Sequence, residues 1–204
     1  MTPAFEVDVD NVLWAFEEPA YEEAIKLKPD FPSPSLWTRW DIFTASGIPR
    51  EELATMFHRA HERQKDYDPL PGARELLNLL SDHGTVIIAS RGDPDSRGVL
   101  ETWLRKHGLV FDEIYLGQDK NSLFQRGNIE LVIDVAPITL LSAQQWGITA
   151  LGLSWPWNKG AQCDGLFPDL WVLSAWLREW FREREPKPVR KRGPKPWRYV
   201  EVEG

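Results

Sequence analysis

The chain has a single cysteine, Cys163, in 204 residues. An internal disulfide is excluded, which suits a reducing compartment, and a cytoplasmic location is the expectation. No apolar run approaches the roughly 20 residues of a membrane-spanning helix, so no membrane partner is expected. The opening MTPAFEVDVD has neither the basic start nor the apolar stretch of a secretory signal. Histidines number four. His58 and His61 lie three apart on an expected helix without an evident third ligand, and His83 and His107 lie near other helix ends. All four read as ordinary surface or cap histidines. Basic residues are outnumbered by acidic ones, 24 to 31. An acidic body does not look like a nucleic-acid platform. The exception is the Pro-rich tail 186–204, where Lys187, Arg190, Lys191, Arg192, Lys195 and Arg198 face only Glu201 and Glu203. That tail is the one candidate for nucleic-acid contact. A solubilising terminus, or a strap docking Trp197 and Tyr199, is the commoner use of such a segment.

What is present is an ordinary globular composition, 42% hydrophobic and 27% charged, with eleven tryptophans expected mostly in the core or in a pocket wall. Short apolar runs alternate with helical patterns. Strands are expected around Val7 and Val9, ending in acid, and at Thr85–Ala89, Glu113–Leu116, Glu130–Ile133 and Thr149–Leu153. Helices are expected after Pro71, from Pro94 to near Gly108, over Pro137–Trp146 and over Leu170–Glu185. This order predicts an α/β fold, a Rossmann-like parallel sheet flanked by helices. The stretch 17–68 has no strand signal and reads as a small helical cap inserted after the first strand. One of its helices is expected to carry Leu36, Trp37, Trp40, Phe43 and Thr44. The core is then 1–16 with 69–185.

In such a sheet the ligand sits beyond the carboxyl ends of the strands. Asp8 and Asp10 lie there, two apart, so on a continuing strand their carboxylates leave one face. They repel unless a cation lies between them, and a hard divalent ion is the usual resolution. Ser90 and Asp134 also end strands. Alone, each has a plainer reading: Ser90 as a helix cap, Lys120 as a solvated lysine, Asp134 as a turn residue.

Taken in order, Asp8-Val9-Asp10, Ser90, Lys120 and Asp134 resemble the haloacid-dehalogenase-like phosphohydrolases. VDVDNVLWAF is similar to the D-x-D-G-V-L opening of that superfamily, and DPLPGARELLNLL to its next helix entry. GQDKNSLFQRGNIELVIDVAP and SWPWN resemble segments of the 5'(3')-deoxyribonucleotidases. The resemblance implies Asp8 as nucleophile forming an aspartyl-phosphate and Asp10 as general acid and base. It implies Ser90 and Lys120 as phosphoryl and charge partners, and Mg2+ held by Asp8, Asp10 and Asp134. It further implies a nucleoside monophosphate substrate, with Ser90 and Arg91 at the phosphate. Trp37, Trp40 and Phe43 either stack on the base or form the core of the cap itself. A homodimer is compatible with this reading.

Two departures stand out. Val135 occupies the place where relatives often carry a second, metal-ligating acid, so a degenerate relative that binds a nucleotide or a protein without efficient chemistry is the alternative. Asn11 stands where glycine is common, a mild change because Asn tolerates left-handed backbone.

Overall fold

β1 (Ala4–Asp8) is buried along its whole length, so its two faces must both be covered. Phe5 and Val7 join one apolar cluster with Leu76, Leu77 and Leu80, and Ala4 joins a second with Leu123, Phe124, Leu140 and Ala143. The computed structural model describes residues 2–91, 96–117 and 119–184. Around β1 lie β2 (Thr85–Ser90), β3 (Glu113–Leu116), β4 (Ile129–Ile133), β5 (Thr149–Leu153) and β6 (Gly165–Phe167). Every pairing is parallel and the order is β3-β2-β1-β4-β5-β6. Residues two apart share a face, so one side of the sheet takes Val86, Ile88, Leu131 and Ile133 and the other takes Ile87, Ala89 and Val132. Ile129 joins the second side because the β1–β4 register shifts between Ala4 and Phe5.

The helices are α1 (Glu17–Leu27), α2 (Arg50–Glu62), α3 (Ala73–Ser81), α4 (Arg97–Lys106), α5 (Asn121–Phe124), α6 (Pro137–Gln145) and α7 (Leu170–Arg184). α3, α4 and α7 supply the first cluster, and α5 and α6 supply the second. This is the expected Rossmann-like arrangement, with the order reversing beside β1. No helix among the described residues is long and apolar enough to cross a membrane.

Three local expectations are corrected. The stretch from Leu36 to Thr44 is no continuous helix. It is framed by two short 3-10 turns, Pro34–Leu36 and Thr44–Ser46. Prolines on its N-terminal side and aromatic packing override the helical spacing. The Trp37 indole N–H donates to the Pro32 carbonyl at 2.8 Å, and its ring meets Phe43 edge-on at 4.9 Å. β6 and α5 are additional elements, three and four residues long, too short to show periodicity. Finally, β1 stops at Asp8, so Asp10 leaves from a turn and not from the strand. Asn11 turns the chain with φ 59°, the left-handed geometry that its side chain tolerates. The helix opening at Pro94 and the tail from Pro186 lie outside the described residues.

Candidate active site

Period two on β1 places Glu6 and Asp8 on the face covered by α5 and α6. Lys120 caps the start of α5 and extends beneath both. Its Nζ donates at 2.8 Å to Glu6 Oε1, to Asp8 Oδ1 and to Asp134 Oδ2. An ammonium has three N–H donors, so Lys120 is fully satisfied. It is also only 3% exposed.

Asp134 follows β4. Its second oxygen, Oδ1, accepts the Ala136 N–H at 2.7 Å. Close approach fixes this turn. A Cβ on Gly152 of β5 would lie 2.2 Å from the Asp134 carbonyl, so only glycine lets β5 pass. Asn158 of the SWPWN loop ties the next residue down, its Nδ2 donating to the Val135 and Leu153 carbonyls at 3.2 and 2.9 Å.

Three buried carboxylates around one ammonium leave an excess of negative charge. Burial pushes Glu6 up to about 7, against the pull of Lys120. Burial, then the neighbouring Asp134, raises Asp8 well above the usual carboxylate range, again opposed by Lys120. Lys120 is held protonated, because the three carboxylates outweigh the cost of burying it. Glu6 Oε2 is buried without a hydrogen-bond partner.

Asp10 is clamped on both oxygens. Oδ1 accepts the Trp14 indole N–H at 2.9 Å, and Oδ2 lies 2.9 Å from His61 Nε2. His61 stands on α2, and its ring stacks on Phe16 with centroids 4.6 Å apart. Burial by itself would lower His61, but the Asp10 carboxylate and the hydrogen bond to it raise it above an ordinary imidazole.

Above these groups opens a cavity of about 790 Å³, bounded by Asp8, Asp10, Lys120 and Asp134 on one side and by the inserted segment on the other. Trp37, Trp40, Phe43, Phe57 and Trp157 line it, and so does Arg91. Arg91 Nη2 also donates to Thr139 Oγ1 at 2.9 Å. Trp37 is 3% exposed and serves the inserted segment as core, whereas Trp40 is 43% exposed. Ser90 ends β2 and is buried, and among the described lining residues it is Arg91 that borders the cavity.

The side chains fit a tightly held divalent ion poorly. Both carboxylate oxygens of Asp10 and both of Asp134 are already hydrogen-bonded. Val135 has no donor in its side chain. Of the oxygens of Asp8, Asp10 and Asp134, Asp8 Oδ2 is the one without a hydrogen bond from the described residues. No group of three or more His, Cys, Asp or Glu is arranged for a metal among the described residues.

No family model matches the chain, and no curated protein matches it either. Solved structures do match over most of its length. A haloacid dehalogenase-like family hydrolase from Streptococcus pneumoniae is 18% identical, with TM-score 0.64, over 86% of this chain and 98% of that one. A HAD family hydrolase from Deinococcus radiodurans, with bound phosphate and sodium, is 20% identical with TM-score 0.58, over 88% and 97%. A HAD-hydrolase from Bacillus subtilis, bound to magnesium, is 15% identical with TM-score 0.59, over 87% and 99%. The chain has the haloacid-dehalogenase-like hydrolase fold. At these identities the likeness is one of fold.

On that fold Glu6, Trp14 and His61 are the site residues that sequence reasoning missed. Glu6 had a signal, a lone acid inside an otherwise apolar buried strand, two residues before Asp8. His61 had none, because its partner lies 51 residues away in sequence.

Proposed function

We propose that the chain is a phosphomonoesterase acting on (deoxy)nucleoside monophosphates through an aspartyl-phosphate on Asp8. One observation carries this reading. Asp8 Oδ1 is fixed on Lys120 at 2.8 Å, while Oδ2 has no hydrogen-bond partner among the described residues and Asp8 borders an aromatic-walled cavity.

Asp8 Oδ2 attacks phosphorus as the bond to the leaving nucleoside oxygen breaks. Lys120 offsets the negative charge brought together at the nucleophile, and the Arg91 guanidinium supplies donors at the phosphoryl oxygens. Asp10 gives a proton to the leaving oxygen and then takes one from the water that hydrolyses the intermediate. The aromatic wall offers faces on which a base stacks, Trp40 and Trp157 among them. Magnesium, which the sequence resemblance implies, would find on Asp8 the one oxygen of Asp8, Asp10 and Asp134 that carries no hydrogen bond from the described residues. No step here runs through it.

The test is phosphate release from a panel of ribo- and deoxyribonucleoside monophosphates, with magnesium and with chelator. Release that Asp8→Asn abolishes supports the reading. Release that survives Asp8→Asn overturns the role of Asp8. A second reading, a relative that binds a nucleotide or a protein without turnover, is favoured by the buried, apolar Val135 at the cavity. It predicts saturable nucleotide binding and no phosphate from any member of the panel.

A further inference from the structure

Asp10 is not free to turn. Its Oδ1 is held by an indole whose ring is fully buried and packed edge-on against Phe16 and Tyr67, at 5.6 and 5.5 Å. Its Oδ2 is held by His61, which comes from α2. The imidazole is in turn held in place, stacked on Phe16 with centroids 4.6 Å apart. The carboxylate is therefore located by one residue of its own loop and by one residue of α2, 51 positions later in the chain. Each carboxylate oxygen has a second lone-pair site, so both clamps leave Asp10 able to exchange a proton with a group in the cavity.

We propose that His61 is a positioning residue for the proton transfers of Asp10, holding the carboxyl group against the leaving oxygen. This rests on the phosphomonoesterase reading above. In the step concerned, the bond from Asp8 to phosphorus forms, the bond from phosphorus to the leaving oxygen breaks, and that oxygen takes the proton from Asp10. Misplacing Asp10 by about 1 Å is enough to slow such a step about a hundredfold. The loss should depend on how much the leaving group needs the proton. A nucleoside alkoxide needs it and p-nitrophenolate does not.

The experiment compares wild-type protein, His61→Ala and His61→Gln on a nucleoside monophosphate and on p-nitrophenyl phosphate. It reads kcat/KM, which reports the steps through formation of the aspartyl-phosphate. Folding is checked by circular dichroism and by melting midpoint. His61→Ala should lose about 10- to 100-fold on the nucleotide and less than about threefold on p-nitrophenyl phosphate. His61→Gln retains an N–H donor and should recover most of the loss. Equal losses on both substrates, or no recovery with Gln in a folded protein, would overturn the positioning role while leaving the phosphatase intact. Wild-type protein that releases phosphate from neither substrate would overturn both readings.

Discussion

Glu6 Oε1 and Lys120 Nζ meet at 2.8 Å in the dry interior, directly behind the Asp8 carboxylate. The pair joins residues 114 apart and places a third acid on an ammonium that already serves Asp8 and Asp134. Glu6 is the member of the cluster least able to find water, with no exposure at all.

That isolation makes stability depend on pH. Burial raises Glu6 from 4.5 to about 7 in the folded chain. Between those values the folded protein keeps a proton that the unfolded chain has released, so stability falls as pH rises through this window. The contribution is fully present below about 4.5 and lost above about 7. Glu6→Gln removes the titration and keeps an acceptor for Lys120. Its stability relative to wild type should improve between pH 5 and pH 8 by up to about 3 kcal/mol. Urea denaturation at the two pH values measures it. Parallel curves would show that Glu6 does not titrate there.

Removing the ammonium should be far more damaging. Lys120→Met leaves Glu6, Asp8 and Asp134 buried without their shared cation, and breaking a buried ion pair from one side costs about 3–5 kcal/mol. Adding Glu6→Gln should return part of that loss, because one of the three orphaned charges is gone. A double mutant no more stable than Lys120→Met would show that Glu6 is already protonated once Lys120 is gone.

The sheet was legible because its strands are short apolar runs ending in Asp8, Ser90 and Asp134, and their order in the chain implies parallel pairing. The convergence of Asp8 and Asp134 followed from that topology, since both lie at the carboxyl ends of strands, whereas Lys120 was placed with them only by the resemblance. The Trp37 segment misled because prolines and aromatic packing outweigh helical spacing over so few residues. His61 was unreadable for a different reason. A histidine on an amphipathic helix looks the same whether it faces solvent or an aspartate 51 positions earlier, and only the folded chain decides.

Val135 provides a direct test of metal affinity. It is 1% exposed, borders the cavity, and follows an Asp134 whose oxygens each accept a hydrogen bond. Val135→Asp adds a carboxylate to the wall of the cavity that Asp8 also lines. Magnesium affinity, measured by calorimetry, should rise at least about tenfold, since hard cations are held by oxygen donors. The same change adds negative charge to a cluster already rich in it, so the metal-free variant should melt below wild type. Unchanged affinity would remove Val135 as the reason for weak metal binding.

The two tryptophans of the inserted segment should separate recognition from packing. Trp37 is buried, donates to Pro32 and packs on Phe31 and Phe43, so Trp37→Ala should cost about 3–5 kcal/mol whatever the substrate. Trp40 is 43% exposed and lines the cavity. Trp40→Ala should leave stability within about 0.5 kcal/mol. If a base stacks there, about 1–3 kcal/mol of binding is lost, raising KM for a nucleoside monophosphate roughly five- to a hundredfold. KM for a phosphate ester with no ring should not move. An equal rise for both esters would mean that Trp40 shapes the entrance and not the base site, and the nucleotide assignment would then rest on the remaining aromatic wall.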